Sequence, residues 1–493
     1  VEAGAEDRCG GDSLFAFIVQ QDSNDNSHLK IIEGEDAEVA WSVDLGAAEL
    51  IKSSPVLTDI NQDGLLEVLV AYDASGSLIV KAYSPLLECG ITGWSPGGAH
   101  TEELLWTWSD SDLAISRPSP SPSVSISGHR PTTQVLLADI DSDEIHEAII
   151  AVWNEGEERI EVIALDLGMS VPSDPLWTAV LDQGTHPSDP AYVQTDPSTG
   201  YVLVTTTDSS TGAIWLWKLE GSNGNEAWSP RSMGNTDGDT NVPHVRLPGP
   251  VLSNLDSDSA LEVIVTIPTD LGGTGNADGA EFRALEVTDG QTELWSVNAI
   301  DGYADAPPLP VDTDQDGISD YLCWVTWTMT SESFTQERSG FAGCHDVNQT
   351  IPSLEWSRNL DLVNSDGVLN DEIAVAPPAI MDVNGNGPPE LIVAFGRGLH
   401  AFDGASGSPS SADSNWSEPI EVPHRTWSEV VFADMNGDAT YDAILGTVSV
   451  SEGNIDIRPL SDGRSIIFDP SEPDPGEDIL SLIHISEPTR QFA

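Results

Sequence analysis

The sequence predicts an all-β fold, a β-propeller of seven or eight blades, each a four-stranded antiparallel sheet, and three features of the 493-residue chain carry that expectation. A short acidic loop followed at once by an apolar run recurs six times. After each run come a polar turn and a second Val/Ile-rich run, the pattern of a hairpin. A tryptophan then returns every 51 to 71 residues, at Trp41, Trp106, Trp177, Trp228, Trp295, Trp356 and Trp416. Units of this length, with no helical periodicity between them, hold four short strands each. One such unit cannot bury both of its faces, whereas units stacked radially cover one another.

The first loop, "DINQDGLLEVLVAY" from Asp59, crowds four acidic or amide side chains into nine residues ahead of an apolar run. Like charges this close repel unless something positive sits among them. Calcium takes about six to eight hard oxygen ligands, and alternate residues of a tight loop can aim them at one centre. Here Asp59, Asn61 and Asp63 supply side-chain oxygens, Leu65 a backbone carbonyl and Glu67 a closing carboxylate. The second loop offers Asp139, Asp141, Asp143 and Glu147, and the third Asn254, Asp256, Asp258 and Glu262. The fourth offers Asp312, Asp314, Asp316, the Ile318 carbonyl and Asp320. Asp382, Asn384, Asn386 and Glu390 form the fifth set, and Asp434, Asn436, Asp438 and Asp442 the sixth. Gly64 and Gly317 permit the turn, where the second, third and sixth loops carry Glu144, Ser259 and Ala439. The loop is not an EF-hand, since its twelfth position is Val70 and strands flank it. Without metal, the same residues would be Asx-turns on an acid-rich surface.

The hairpins can be followed along the chain. "SLFAFIV" and "HLKII" near the N-terminus form one with no loop ahead of it, so eight hairpins accompany fewer loops and ring size stays open. The second and third loops lie 115 residues apart, and the gap holds "QTDPSTGYVLVTTT" from Gln194, a degenerate loop before a good strand. That unit has lost its ligands. Ser116–Gly128 is a Ser/Pro-rich excursion, and Asp469–Asp478 a stiff, Pro-rich linker. Among the four cysteines, Cys323 and Cys344 fall on neighbouring apolar stretches and are placed to form a disulfide within one hairpin, which favours an oxidising, extracellular setting.

With 18 basic and 82 acidic residues the formal net charge is −64, spread over the whole length. Cations or a salty medium must relieve that self-repulsion. Nucleic acid is excluded as a partner, because phosphate binding needs a basic surface. No run of 18 apolar residues exists, so no membrane insertion is expected in this segment. "GDSL" at Gly11–Leu14 and "GWSPG" at Gly93–Gly97 match esterase-type nucleophile motifs, yet neither has the strand before and helix after that a nucleophile elbow needs. The ten histidines show no HxxxH spacing, so catalytic zinc is not expected, and no catalytic or cofactor-binding residue is assigned.

The six loops with their following strands resemble FG-GAP or VCBS repeats, the calcium-loop blades of integrin-alpha-like propellers, over 14–465. The "AFD…G…W" markers, as at Ala401–Gly407, are also similar to those of quinoprotein-type propellers. The resemblance implies several structural calcium ions, an extracellular or cell-surface location, and a recognition or adhesion module that meets a protein or glycan ligand at a cell surface. A secreted carbohydrate-active enzyme, polysaccharide lyase-like, or a lectin on the same scaffold is the alternative. Residues 1–13 are expected to form an N-terminal segment, and 466–479 a linker and the start of a truncated Ig-like domain. "LSLIHISEPTR", Leu480–Arg490, resembles a translated transposase sequencing adapter, so 480–493 is left out of the fold expectation.

Overall fold

The structure, a computed structural model, describes strands and turns within 15–84, 103–114, 133–235, 247–360, 377–403 and 420–448, together with 481–484. Gaps inside these ranges include 61–66, 168–174, 270–278, 330–337, 383–388 and 434–441. Every apolar run picked out in the sequence becomes a strand, because Val, Ile and aromatic side chains pack well on a pleated surface. The strands gather, in chain order, into successive antiparallel sheets.

Sheet A holds Phe15–Gln21, Ser27–Glu33 and Val39–Gly46, the first two being the N-terminal hairpin expected from sequence. In sheet B, Leu50–Ile51 and Val56–Thr58 share the first position, followed by Glu67–Ala74, Ser77–Ser84 and Glu103–Ala114. Sheet C is Leu136–Ala138, Glu147–Asn154, Arg159–Asp166 and Trp177–Leu181. Sheet D opens with His186–Pro187 and Ala191–Asp196, then Thr199–Thr207, Ala213–Glu220 and Arg231–Asn235. Sheet E is Val251–Ser253, Glu262–Thr269, Gly279–Glu286 and Glu293–Asn298. Sheet F is Leu309–Val311, Tyr321–Met329, Arg338–Asp346 and Ser353–Leu360. Sheet G is Ala379–Met381, Glu390–Phe395, Gly398–Asp403 and Ile420–Glu421. Beyond it, Val431–Ala433 pairs with Asp442–Leu445, whose other edge takes Ser481–His484. That last strand belongs to the adapter-like tail; its apolar residues find an open sheet edge, which accepts any strand able to pair with it.

The core lies between sheets, and strand alternation explains it. On Glu147–Asn154, Ala148, Ile150 and Val152 pack against Leu69, Ala71, Leu78 and Val80 of sheet B. Ile149 and Ala151 point the other way, against Val202, Val204, Trp217 and Leu219 of sheet D. The same two-sided burial links A to B, D to E, E to F, F to G and G to the terminal strands. The middle of the second strands of sheets B, C and E, as in "VLVAY", "AIIAV" and "VIV", is therefore a near-continuous apolar run, as in any sheet covered on both faces. Removing the Ile150 side chain beyond Cβ would cost about 2–5 kcal/mol, the range for large-to-Ala changes in a close-packed core.

The periodic tryptophans join one sheet to the next. Trp177, on the last strand of sheet C, donates its Nε1–H to the Gly221 carbonyl of sheet D at 2.7 Å. Its ring lies on Gly224 (φ +71°), where an added Cβ would come within 2.5 Å. Trp228 covers Gly290 (φ +61°) of sheet E in the same way, and the Trp356 ring meets Phe402 of sheet G at 5.8 Å between centroids. The glycine of each such turn thus supplies both a left-handed backbone and room for the preceding unit's indole. The expected disulfide is formed: Cys323 and Cys344 are directly opposed in their hairpin and bonded, within the F–G core.

The Gln194 stretch differs from the expected degenerate loop. It is strand up to Asp196, and Thr199 already begins the next strand, so sheet D makes a tight turn where its neighbours carry an acidic loop.

Candidate metal centres

Each acidic loop joins the first strand of a sheet to the second, and in five of the six its closing acid opens the second strand. Glu67, Glu147, Glu262, Glu390 and Asp442 all pair with the last residue of the preceding strand: Thr58, Ala138, Ser253, Met381 and Ala433 respectively. That shared register turns Glu67, Glu147, Glu262 and Glu390 inward, where their exposures are 0%, 0%, 0% and 1%. One carboxylate oxygen of each of three glutamates is spent on the loop itself. Oε2 of Glu67, Glu147 and Glu262 accepts the backbone N–H of Ile60, Ile140 and Leu255, at 2.9, 2.8 and 2.7 Å.

The other oxygen, Oε1, is buried without a hydrogen-bond partner in both Glu147 and Glu262. A fully buried carboxylate oxygen left this way is costly unless a proton or a cation meets it. Burial first, then nearby aspartates, pushes the Glu147 carboxyl up to about 8 and that of Glu262 to about 7. Around each lies a convergence of further acids. Asp139, Asp141 and Glu147 bring ligand oxygens within 4.8 Å of one another, and so do Asp256, Glu262 and Glu286. Burial and the Asp143 and Asp139 charges also raise Asp141. In both groups, burial and the neighbouring acids oppose ionisation of the closing glutamate.

A third group, Asp312, Asp314 and Asp316, meets the same distance criterion at the surface. Its closing acid behaves differently. Asp320 precedes its strand by one residue, since Tyr321 takes the pairing position opposite Val311. Asp320 Oδ2 accepts from the Thr313 N–H at 2.8 Å and from the Thr313 hydroxyl, and Oδ1 accepts from Asn348 Nδ2 at 3.1 Å. These hydrogen bonds hold its carboxyl below the usual range despite partial burial, and Asp320 stands outside the Asp312 group.

The Asx-turn pattern runs through the same loops. Asp139 Oδ1 accepts from Ser142 and Asp143, Asp143 from Ile145, Asn254 from Asp256, Asp256 from Asp258, Asp258 from Ala260, and Asp316 from Ile318. Asp143 and Asp258, expected as ligands, stand outside the two buried groups. Glu286 was not among the expected ligands; it ends the third strand of sheet E, directly opposite Glu262. Its acid belongs to "ALEVTDG", Ala284–Gly290, a stretch similar to the "AFD…G" marker at Ala401–Gly407. Asn61, Asp63, Leu65, Asn384, Asn386, Asp434, Asn436 and Asp438 lie outside the described residues, as do the GDSL and GWSPG stretches.

Sheet D shows what replaces a loop. Tyr201 pairs with Glu220 in the register that pairs Glu147 with Asp166 and Glu262 with Glu286. Two residues before Glu220, where other sheets have Ala164, Ala284 or Ala401, stands Lys218, 4% exposed. Its ammonium donates to the Val287 carbonyl of sheet E at 2.8 Å and lies 3.6 Å from the Tyr201 ring centroid and 4.7 Å from that of Trp228. Burial lowers its pKa to about 8.

No protein-family model matches the chain, and no curated protein sequence does. Solved structures to which it is similar include the Dos1 propeller, at 8% identity over 87% of this chain and 89% of that one, TM-score 0.41. The exotype rhamnogalacturonan lyase YesX is similar at 13% identity over 88% and 70%, TM-score 0.42. The V. cholerae biofilm matrix protein Bap1 is similar at 12% identity over 89% and 81%, TM-score 0.33. At these scores no residue role carries over.

Proposed function

We propose that the successive sheets are the blades of a seven- or eight-bladed β-propeller of FG-GAP/VCBS type, whose acidic loops hold structural calcium ions, and that it serves as an extracellular recognition or adhesion module. The observation that carries the calcium reading is the buried, unpartnered Oε1 of Glu147 and of Glu262, each converging with two further carboxylates. All-oxygen, carboxylate-rich donor sets suit a hard divalent cation. Burial of sheets B to G between their neighbours supports the blade reading. The net charge of −64 supports a cation-rich, extracellular setting in which bound ions offset self-repulsion.

The ions would be structural. An extracellular-type site filled at ten to a hundred times its dissociation constant stabilises by about 1.4 to 2.7 kcal/mol. Calcium titration of the full chain, followed by thermal melting, tests this. A rise with calcium, reversal by chelator and poor substitution by magnesium is the expected result. Equal melting temperatures in calcium and in chelator would sink the reading. Recognition is tested by binding of the calcium-loaded chain to protein and glycan panels, with loss in chelator expected.

A further inference from the structure

We propose that Glu286, from the third strand of sheet E, is a direct cation ligand that completes the site at the Asn254 loop, so that two hairpin arms share one divalent ion. The proposal rests on the calcium reading of the loops.

Three observations meet here. The first is charge. The loop begins with neutral Asn254 where the loop of sheet C begins with Asp139, which leaves its set one carboxylate short. The second is geometry. Glu262 and Glu286 are cross-strand partners, so their side chains leave the sheet on one face, and with Asp256 their oxygens lie within 4.8 Å of one another. Like charges directly opposed across a sheet repel, and a bound cation reverses the sign of that interaction. The third is burial: Glu262, with no exposed surface, has an Oε1 without a hydrogen-bond partner.

Among the described residues sheet E alone shows such a group, and side-chain length accounts for its difference from sheet C. Glu147 faces Asp166 and Glu390 faces Asp403 in the equivalent register. Aspartate is one methylene shorter, and the Asp139 group closes without Asp166. The Glu286 backbone is fixed at the strand end, its N–H donating to the Thr292 carbonyl at 3.0 Å and its carbonyl accepting from Gly290 at 2.9 Å. A ligand held on a rigid strand adds charge without adding loop freedom, and ligand charge count tunes calcium affinity.

The test uses the full chain with calcium chloride alone, reading ion count by native mass spectrometry across a calcium series. Glu286→Gln is expected to bind one ion fewer at the calcium level that just fills the parent, its site being about tenfold weaker. Glu286→Asp, shortened like Asp166, gives a loss in the same direction. Glu220→Gln changes the register-equivalent acid of the loopless sheet D and should leave the count unchanged. If Glu286→Gln and Glu286→Asp keep the parent profile while Glu262→Gln loses an ion, the proposal is overturned and the calcium reading stands. If Glu262→Gln is also unchanged, both are overturned at this loop.

Discussion

Sheets C and E start their second strand with a fully buried glutamate, while sheet D puts Tyr201 at the same register and buries Lys218 nearby. One arrangement buries a carboxylate, the other an ammonium. The pairing of second with third strand is the same in both, so the repeat is specified by its strands and their two-sided packing rather than by its acidic loops. Sheet F adds a third device, the Cys323–Cys344 bond, beside a loop whose closing acid is already satisfied by hydrogen bonds.

Removing calcium should separate the two kinds of sheet most strongly. Hydrogen exchange in chelator is expected to rise at the Ile140 and Leu255 amides, which Glu147 and Glu262 hold, and much less at Thr205 and Ser188 of sheet D, which bond each other. Uniform loss of protection would break the comparison. Next comes the covalent device. Replacing Cys323 and Cys344 by Ser opens a link spanning 21 residues, a cost of about 3 kcal/mol by loop entropy, measured by denaturant unfolding. The melting of this variant should still respond to calcium, since loop and bond are separate.

Two smaller effects oppose each other in pH. Glu147 is raised on folding from 4.5 to about 8. In chelator the folded chain therefore holds a proton that the unfolded chain has released, and the Glu147 contribution, complete below pH 4.5, fades as pH rises through 8. Glu147→Gln should flatten that slope, and calcium should reverse it by replacing the proton. Lys218 is lowered from 10.5 to about 8, so the unfolded chain binds the extra proton and stability rises from pH 8 to 10.5. Lys218→Met should remove this rise. Melting curves across pH 4 to 11 in chelator would show a minimum near pH 8 in the parent that neither variant reproduces in full. A curve unchanged by both substitutions would mean that neither group is held as described.

The sheets were legible in the sequence because double burial makes second strands such as "EAIIAV" and "EVIVTI" continuously apolar and polar turns punctuate them. The convergence of one loop's acids was legible too, since local spacing brings Asp139, Asp141 and Glu147 oxygens within 4.8 Å of one another. Glu286 was not, for its proximity to Glu262 arises from strand pairing across 24 residues and not from the loop's own spacing. Lys218 escaped for a related reason. A lysine in an acid-rich chain reads as solvated surface, and only the stacking of sheet D on sheet E exposes it as core. The Gln194 stretch was misjudged in form because "DPSTG" reads as a loop remnant, whereas pairing of Ala191–Asp196 with Thr199–Thr207 absorbs it into a hairpin.

Thr58 Oγ1 lies 3.1 Å from His146 Nδ1, beside Glu147. The Tyr192 hydroxyl donates to the Asp139 carbonyl at 3.0 Å, and the Ser319 N–H, next to Asp320, donates to the Asn254 carbonyl at 2.9 Å. Each contact ties one loop to the sheet beside it. If the loops hold calcium as proposed, occupancy of one would bias the shape of the next, and filling would be a linked equilibrium rather than a set of independent ones. Sheet D has no loop to pass the bias on. On that reading the linkage is interrupted at sheet D, and a calcium titration of the full chain should not fit a single cooperative step.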